Sequence, residues 1–437
     1  MTYAEALARL LALRGGEHAG MRPGLERIEA LLDALGNPEQ RYTLVQVGGT
    51  NGKGSTAAML AAIFKAAGRR VGLYTSPHLI SFRERIRVDG EAIGEDDVAD
   101  GFDALATQVA RLDATMFEAT TALALDHFAR EAVDVAVLEV GLGGRLDATT
   151  VGEPAVAAIA RIDLDHQEVL GSTLEAIARE KAAIIRSGIA VAAAQAPEAA
   201  AVLRARAAET GVPLQMEGRE LAVRVTARDL AGQTLELAGP GWCLDAARIP
   251  LLGTFQPSNA LLAAAAARAL DVDAAAIREG LARARWPGRF EVLRAGDRHV
   301  VLDGAHNPGG ARALAASLAE WFGEAPLTLV FAAFRDKDAA AMLAPLAARA
   351  RRVILTASSS PRAAAPEALR AHVPAGVAQV ETAPSAAEAL ALAARPPRTP
   401  ILCVAGSLTL IGDVLRAAHG DKPCPIEKPA DSMGSLF

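Results

Sequence analysis

The stretch Val45-Gln-Val-Gly-Gly-Thr-Asn-Gly-Lys-Gly-Ser-Thr56 joins a short apolar run to a run of good helix formers. Leu44 to Val47 predicts the end of a buried strand, and Ser55 to Ala67 predicts a helix that closes at Gly68. The turn between them is rich in glycine, so its backbone could approach a polyanion closely. The first amides of the helix and Lys53 would then face that anion. The stretch therefore predicts a phosphate-binding turn in an α/β fold.

This turn departs from the common phosphate-loop pattern G-x-x-x-x-G-K-[ST]. Val47 stands where the first glycine belongs, and Gly54 separates Lys53 from Ser55. A glycine-rich turn that merely joins a strand to a helix is the alternative on these residues alone. The phosphate site therefore needs support from other parts of the chain.

The composition predicts a folded globular protein with two or three domains. Of its 437 residues, 51 % are hydrophobic, which is enough for a core in each domain. There is no run of about 18 apolar residues and no basic region ahead of an apolar one at the N-terminus, so we predict neither a membrane span nor a secretory signal. A net charge of −6 without basic, aromatic-rich clusters argues against a nucleic-acid partner. Three widely spaced cysteines suit reduced thiols in the cytoplasm.

Polar residues follow several predicted strands at the point where each strand ends. Ser76 follows the strand Arg70 to Tyr74, and Glu139 lies near the end of the strand Val133 to Val140. In an open parallel sheet such residues lie at the carboxyl edge, where ligands bind. Magnesium takes one or two carboxylates together with phosphate oxygens, so Glu139 suits a metal beside the phosphate turn. The alternatives are a turn serine before proline for Ser76 and a structural ion pair for Glu139.

Three charged or titratable features remain open on sequence alone. His166 follows the predicted strand Ala155 to Ile162, and a histidine there is more often a loop hydrogen-bonding residue than a ligand. Lys181 lies in a helix predicted over 173–186, where spacing alone predicts a solvated lysine. The stretch Arg83-Glu-Arg-Ile-Arg87 is predicted to be a solvated strand face.

The second half of the chain predicts a second α/β unit. Glu220 to Leu237 alternates around a turn at Gly232 and predicts a small antiparallel insertion. Trp286 to Glu291 breaks the helical pattern, and strands and helices alternate again beyond it. We therefore predict a first α/β domain over 1–290, with a mainly parallel sheet and the P-loop-type phosphate turn, a smaller Rossmann-like α/β domain over 291–420 and a flexible tail over 421–437.

Taken together, the motifs resemble the Mur ligase superfamily and, within it, the dihydrofolate synthase/folylpolyglutamate synthase family. The resemblance runs from about Tyr42 to Gly412 and depends on the order of motifs that are individually weak. In chain order they are Gly49-Thr-Asn-Gly-Lys-Gly-Ser55, Thr75-Ser-Pro-His-Leu79, Glu139-Val-Gly-Leu-Gly-Gly-Arg-Leu-Asp-Ala-Thr149, Asp165-His166 with Leu170-Gly171, Glu180-Lys181, Phe255-Gln-x-x-Asn259, Pro287-Gly-Arg-Phe-Glu291 and Asp303-Gly-Ala-His-Asn-Pro308. A glycine after the lysine looks like this family's own form of the phosphate loop.

The resemblance implies a reaction and its cofactors. ATP would phosphorylate a substrate carboxylate to an acyl phosphate, and the amino group of L-glutamate would attack it to form an amide. The implied acceptor is dihydropteroate or a reduced folate, and Mg²⁺ would offset the repulsion between the carboxylate and the γ-phosphate. Lys181 matches a lysine that the family carbamylates, which would turn a cation into a metal-binding anion. A monomer without nucleic-acid or membrane partners is expected.

The resemblance also implies roles for individual residues. The catalytic candidates are Lys53, His166 and Lys181. The implied ATP contacts are Gly49, Thr50, Asn51, Gly52, Lys53, Gly54, Ser55, Asn259, Arg289, Asp303 and His306. The implied magnesium ligands are Ser76, Glu139 and His166. The implied contacts with the pterin substrate are Phe117, Glu118, Ala119, Thr120, Leu146, Asp147 and Ala148. For glutamate, Arg362 and Ser407 are candidates because they follow predicted strands of the second unit.

Three departures from the family pattern concern the acceptor and glutamate pockets, not ATP use. They are Thr150, Ala183 and Ser407-Leu-Thr409, where the family usually has asparagine, glycine and tyrosine. Two other functions stay open. A cell-wall Mur ligase would need a separate UDP-binding domain, for which the roughly 40 residues before the phosphate turn are too few. A P-loop switch ATPase would hydrolyse ATP without an amine acceptor.

Overall fold

The computed structural model describes residues 1–14 and 22–424, and in these ranges the chain forms three β-sheets with helices packed around them. The predicted α/β class is thereby confirmed. The predicted tail over 421–437 lies mostly outside the described residues. No helix in the described ranges is long and apolar enough to cross a membrane.

The first sheet carries the phosphate turn at the end of a central strand. Its strands are β1 (Thr43–Gly48), β2 (Val71–Tyr74), β3 (Ile86–Val88), β4 (Glu91–Ala92), β5 (Val135–Glu139), β6 (Val156–Ile159), β7 (Ile189–Ala192) and β8 (Leu214–Met216). Their order is β4-β3-β2-β5-β1-β6-β7-β8, and the pairings are parallel except for those of β3 with β2 and with β4. Since β5 and β6 flank β1 in parallel, the three strands end at one edge, with Val47 opposite Glu139.

A small antiparallel sheet follows the first one in the chain. It consists of β9 (Ala222–Asp229), β10 (Gly232–Gly239) and β11 (Trp242–Ile249). The predicted antiparallel insertion is confirmed, but β11 was not predicted. In β11 the buried Leu244, Ala247 and Ile249 are irregularly spaced, because the register with β10 shifts between Leu235 and Leu237.

The last sheet lies wholly in the second half of the chain. Its strands are β12 (Glu291–Ala295), β13 (Arg298–Asp303), β14 (Leu327–Phe331), β15 (Ala350–Thr356), β16 (Gln379–Ala383) and β17 (Ile401–Ala405). Their order is β12-β13-β17-β14-β15-β16, and only β12, an unpredicted edge strand, is antiparallel. The predicted parallel strands are present. The domain limits at 290 and 420 stay a prediction.

Helices connect and cover these strands. They are α1 (Tyr3–Ala12), α2 (Glu26–Ala34), α3 (Lys53–Ala66), α4 (Glu95–Leu112), α5 (Met116–Arg130), α6 (Gln167–Leu170), α7 (Leu174–Ala182), α8 (Pro197–Thr210), α9 (Gln256–Arg268), α10 (Ala274–Arg283), α11 (Pro308–Phe322), α12 (Ala339–Ala347), α13 (Pro366–Arg370), α14 (Ala386–Ala393) and α15 (Leu408–His419). Thr173 caps α7 by accepting from the amide of Ala176 at 3.1 Å.

The core of the first sheet explains the apolar run before the phosphate turn. Val45 and Val47 lie on the face that packs against α3, α9 and α10. Leu44 lies on the opposite face, in a cluster with α1, α2, α4 and α5. Because successive side chains of a strand alternate between faces, a strand covered on both sides is mostly apolar. The exception, Gln46, is buried and donates to the hydroxyls of Thr149 and Thr150. The end of β1 is therefore held firmly where the turn begins.

The prediction of a solvated face for Arg83 to Arg87 is wrong. Glu84, Arg85 and Arg87 are 6 %, 4 % and 3 % exposed, and Phe82–Arg85 forms a 3₁₀-helix rather than a strand. The charges are satisfied by protein groups instead of water. Glu84, for example, accepts hydrogen bonds from the amides of Leu79, Ile80 and Ser81. A charge pattern alone does not reveal such partners.

Candidate active site

The phosphate turn uses glycine where its backbone has positive φ and close neighbours. Gly49 has φ +133° and Gly52 has φ +98°. A Cβ on Gly49 would lie 2.9 Å from the carbonyl oxygen of Ala160, and one on Gly52 would lie 2.4 Å from Oδ1 of Asn259. Gly52 is also the N-cap of α3 and has no side chain to cover its first amides. The turn can therefore present backbone donors to an anion.

Gly54, which breaks the common pattern, lies against Trp286. A Cβ at this position would lie 2.7 Å from Nε1 of the indole. Trp286 belongs to the segment between α10 and β12, so the glycine lets this segment pack on the start of α3. On the other side, Gln256 of α9 donates to the hydroxyl of Ser55 at 3.3 Å. Two later parts of the chain thus fix the turn.

Two lysines donate to the backbone of the turn. Lys53 Nζ lies 3.3 Å from the carbonyl oxygen of Thr50, and Lys181 Nζ lies 2.9 Å from that of Gly49. The solvated state predicted for Lys181 is wrong, because its side chain is buried between α7 and the turn. Burial, reinforced by the positive charge of Lys53, lowers the pKa of Lys181 to about 7. A large share of this amine is therefore uncharged at neutral pH.

Glu139 and Ser76 lie together at the ends of β5 and β2. The carboxylate of Glu139 is 5 % exposed, and its Oε2 accepts from the amide of Ser76 at 3.2 Å. Burial raises the pKa of Glu139, against the opposing charge of Lys53. A carboxylate and a hydroxyl beside a phosphate turn are hard oxygen donors, so this donor set fits Mg²⁺.

The third implied metal ligand, His166, contacts Asp165. Its Nε2 lies 4.0 Å from Oδ2 of Asp165, and its side chain is 41 % exposed. Across residues 1–14 and 22–424, no three His, Cys, Asp or Glu side chains form a metal-binding group. A metal would therefore need the Ser76 hydroxyl and oxygens supplied by a nucleotide. The set of Ser76, Glu139 and His166 stays a prediction.

Asp165 joins the first sheet to the last one. Its carboxylate accepts from Lys337 Nζ at 2.6 Å and from Asn307 Nδ2 at 2.9 Å, and His306 Nε2 lies 3.7 Å away. Burial alone would raise the pKa of Asp165, but His306, His166 and Lys337 hold it well below its usual range. An ionised carboxylate thus links the loop after β6 to the segments after β13 and β14.

Asn307 ties this cluster to the phosphate turn. It exchanges two hydrogen bonds with Asn51, at 3.0 and 3.2 Å, and it caps α11 by accepting from the amide of Gly310 at 2.8 Å. Asn307 lies in the motif Asp303 to Pro308, but neither Asn307 nor Lys337 is among the predicted site residues. The side chain of Lys337 is only 9 % exposed in a loop, a sign of function that becomes visible only in three dimensions.

Arg289 and Asp303 complete this edge of the cleft. Asp303 accepts from the amides of Phe290 at 2.7 Å and Ala305 at 2.8 Å. Burial raises the pKa of Asp303 to about 6, against the pull of Arg289. The positive charge of Arg289 acts on both Asp303 and Glu139. The structure therefore brings the implied ATP contacts Arg289 and Asp303 towards the implied metal ligand.

The residues implied to contact the pterin lie at the start of α5 and in the loop after β5. Phe117 is partly buried and packs on Gly141, where a Cβ would lie 2.5 Å from its ring. Leu146 is also partly exposed. The remaining side chains of this set are buried; they are Glu118, Ala119, Thr120, Asp147 and Ala148. Glu118 forms a capping box with Thr115 and an ion pair with Arg27. These contacts stay a prediction.

Of the two residues predicted to bind the substrate glutamate, Arg362 is engaged in other contacts and Ser407 is buried. Arg362 pairs with Asp336 at 2.7 Å and stacks over the Phe334 ring at 4.8 Å. Ser407, at the start of α15, is 1 % exposed, and its hydroxyl has no hydrogen-bond partner in the part of the chain that the structure describes. A glutamate site therefore stays a prediction at both positions.

A phosphate turn completed by residues of a second α/β unit defines a class of nucleotide-dependent enzymes, and comparison with known proteins identifies the family. The profile of the Mur ligase middle domain matches residues 47–267, and that of the Mur ligase glutamate ligase domain matches residues 288–408. The chain belongs to the Mur ligase family, in the branch formed by dihydrofolate synthases and folylpolyglutamate synthases.

Relatives and solved structures agree with this placement. The Bacillus subtilis dihydrofolate synthase/folylpolyglutamate synthase is 37 % identical over 79 % of this chain and 83 % of its own length. The Mycobacterium tuberculosis folylpolyglutamate synthase, solved with ADP and AMPPCP, aligns with a TM-score of 0.87 at 35 % identity, over 97 % of this chain and 100 % of that one. Escherichia coli FolC in complex with DHPP and ADP aligns with a TM-score of 0.86 at 33 % identity, over 95 % and 97 %.

Two archaeal relatives are longer than this chain. The probable bifunctional folylpolyglutamate synthase/dihydropteroate synthase of Halobacterium salinarum is 43 % identical over 79 % of this chain, which spans only 43 % of the relative's length. The Haloferax volcanii relative is matched over 42 % of its length.

Proposed function

We propose that this protein is an ATP-dependent ligase that joins L-glutamate to the carboxylate of a folate-type acceptor through an acyl phosphate. The acceptor is dihydropteroate, a tetrahydrofolate polyglutamate, or both. The names of the relatives support this choice, and so does the DHPP bound to the Escherichia coli structure.

One observation carries the proposal: the phosphate turn is shared between the two α/β units. Asn51 in the turn pairs with Asn307 at the start of α11, and Trp286 packs on Gly54. A nucleotide held at the turn would therefore lie at the junction of the units. There its γ-phosphate can meet an acceptor carboxylate bound by one unit and an amine bound by the other. A simple hydrolase would not need this shared arrangement.

The residues around the junction suit phosphoryl transfer to a carboxylate. The α3 amides and Lys53 would neutralise the triphosphate, and Arg289 would add positive charge between Asp303 and Glu139. The acceptor carboxylate oxygen attacks the γ-phosphorus and ADP leaves. The glutamate amine then attacks the acyl carbon and phosphate leaves with that oxygen. Binding both acceptors at one junction supplies the proximity that this sequence of steps needs.

Magnesium and a modified lysine are part of the proposal. Ser76 and Glu139 would hold Mg²⁺, with His166 as a further ligand, and the ion would offset the charge repulsion between the phosphate and the carboxylate. Lys181 would be carbamylated, since a buried and partly uncharged amine is the form that reacts with carbon dioxide. Cytoplasmic location and a monomeric state are further parts of the proposal, and the free thiols of all three cysteines agree with a reducing compartment.

The test is an ADP-release assay with ATP, Mg²⁺, L-glutamate and either dihydropteroate or tetrahydrofolate. We expect release to require both glutamate and a pterin, and the product to carry an added glutamyl residue by mass spectrometry. Glu139→Gln should lower the rate strongly without unfolding the protein. ADP release that ignores both glutamate and pterin would instead support a switch ATPase, and release that requires a UDP-linked acceptor would support a cell-wall ligase.

A further inference from the structure

The loop that carries Ser76 is held by the short charged segment that follows it in the chain. This loop, 75–81, runs from the end of β2 to the 3₁₀-helix Phe82–Arg85. At its start, the amide of Ser76 donates to Glu139 at 3.2 Å. Any movement of the loop would therefore shift Ser76 relative to Glu139, and these two residues supply the oxygen donors that fit a metal ion.

Glu84 fixes the far end of this loop through its carboxylate. Oε2 accepts from the amide of Leu79 at 2.9 Å, and Oε1 accepts from those of Ile80 at 3.1 Å and Ser81 at 3.0 Å. The side chain is 6 % exposed. Hydrogen bonds to an ionised acceptor are stronger than those between neutral groups, and burial keeps water from replacing them. One carboxylate thus orders three consecutive residues.

A neighbouring arginine fixes the middle of the loop. Arg85 Nε donates to Nδ1 of His78 at 3.0 Å, and the carbonyl oxygen of Arg85 accepts from the amide of Thr75 at 3.0 Å. The loop is therefore attached near its start, middle and end to the short segment Glu84–Arg85. The charged stretch acts as a clamp on the loop instead of a solvated face.

The second α/β unit presses on the same loop. Arg416 of α15 donates through Nη2 to the carbonyl oxygen of Ile80 at 2.9 Å, and a Cβ on Gly412 would lie 2.0 Å from the carbonyl oxygen of Leu79. The amide of Cys424, beyond α15, donates to Glu84 Oε1 at 3.1 Å, and its carbonyl accepts from Arg87 at 2.6 Å. Helix α15 and the segment after it therefore rest on the loop and on Glu84.

We propose that Glu84 is a positioning residue for the metal-nucleotide site. It holds the loop 75–81 so that Ser76 lies beside Glu139, and it transmits to this site the position of α15 in the second unit. This inference rests on the proposed function for its ligand, magnesium-ADP, but it concerns residues that the implied site does not include.

The test compares Glu84→Gln with Glu95→Gln. The first change keeps the size of the side chain but turns one acceptor oxygen into a donor that faces backbone amides. The control makes the same change in charge at a carboxylate that is 59 % exposed and pairs only loosely with Arg83, at 3.5 Å. Binding of ADP is measured by calorimetry with and without Mg²⁺, and amide hydrogen exchange is followed at residues 79–81.

For Glu84→Gln we expect faster exchange at residues 79–81 and roughly tenfold weaker binding of magnesium-ADP, in keeping with the loss of a charge-assisted hydrogen bond. Binding of ADP without magnesium should stay the same, because the phosphate turn is untouched. Glu95→Gln should match the wild type in both measurements. A purely structural role for Glu84 predicts a lower melting temperature but the same effect on ADP with and without magnesium, and that result would overturn the proposal.

Arg416→Ala is a second variant, in case Glu84→Gln folds poorly. The Arg416 side chain is 39 % exposed, so its removal should leave the fold intact. We expect a smaller loss of the same magnesium-dependent kind, and less than additive effects in the double variant because both residues hold one loop. Unchanged magnesium-ADP binding in Arg416→Ala would contradict the link to α15. Calorimetry needs no turnover, so a wild type that binds magnesium-ADP but fails to ligate glutamate would refute the proposed function alone.

Discussion

Replacing Lys181 by methionine tests the role of the buried amine beside the phosphate turn. Lys181 Nζ donates to the carbonyl oxygen of Gly49 at 2.9 Å, and burial together with Lys53 lowers its pKa to about 7. At pH 7 about half of such an amine is neutral, against about one in 3,000 for an ordinary lysine of pKa 10.5. Carbon dioxide adds to the neutral form of an amine, so the lowered pKa leaves more of Lys181 able to react with carbon dioxide at neutral pH than an ordinary solvated lysine.

We expect Lys181→Met to lower glutamate-dependent ADP release by about 10²- to 10³-fold, the usual cost of removing a group that stabilises charge in the transition state. The wild type should lose activity in carbon dioxide-free buffer, recover it with bicarbonate, and show a carbamate signal by NMR with ¹³C-bicarbonate. Lys65→Met, at an exposed position of α3, is the control and should behave like the wild type. A Lys181→Met variant with the wild-type rate, or a wild type without the carbamate signal, would refute the reasoning.

The same substitution has a consequence for stability. Because the pKa of Lys181 is lower in the folded state, the unfolded chain binds more protons between about pH 7 and 10.5, and wild-type stability should rise with pH across this window. Below pH 7 the buried charge costs stability of the order of 5 kcal/mol. In carbon dioxide-free urea titrations, Lys181→Met should lack this rise. An identical pH dependence in both proteins would show that Lys181 is solvated.

Three further predictions concern the junction of the two units. Gly54→Ala places a Cβ 2.7 Å from the Trp286 indole and should weaken ADP binding about tenfold in calorimetry, with partial recovery in a Trp286→Phe background. If Gly54→Ala binds ADP as tightly as the wild type, the packing of Gly54 on Trp286 does not matter for binding. Lys337→Met leaves Asp165 without its 2.6 Å partner and should lower the free energy of unfolding by about 3 kcal/mol in urea titrations. Adding Asp165→Asn should recover part of this loss, and a double variant whose loss equals the sum of the two single losses would argue against the ion pair. Asp303 is an implied ATP contact, and burial raises its pKa to about 6. Protonation of its carboxylate should therefore weaken nucleotide binding as the pH falls from about 7 to 5, and Asp303→Asn should abolish this pH dependence. If binding by the variant still depends on pH, Asp303 is not the titrating group.

The elements that position the phosphate turn could be predicted because their signals are local. Leu44, Val45 and Val47 are apolar and are followed by glycines, which predicts a central strand and a tight turn before a helix. Ser76 and Glu139 could be placed at one sheet edge for a similar reason, since parallel strands end on the same side. These features need only periodicity and the topology of a parallel sheet.

The burial of charged side chains could not be predicted, because their partners are distant in sequence. Glu84 and Lys181 were predicted to be solvated residues of a strand and a helix. Glu84 instead accepts from the amide of Cys424, 340 residues away, besides its local partners at 79–81, and Lys181 donates to the carbonyl oxygen of Gly49, 132 residues away. Lys337 was missed because its partner Asp165 lies 172 residues away. Gly54 departs from the common motif because the indole of Trp286, far away in sequence, leaves no room for a side chain there. Long-range contacts of this kind leave no local pattern.

The most direct test of the central claim follows an oxygen atom. Dihydropteroate labelled with ¹⁸O in its carboxylate is incubated with the protein, ATP, Mg²⁺ and L-glutamate, and the released phosphate and the pterin product are analysed by mass spectrometry. The proposed acyl phosphate predicts one ¹⁸O in each phosphate released and one glutamyl residue added to the pterin. Unlabelled phosphate, released at the same rate without glutamate, would contradict it.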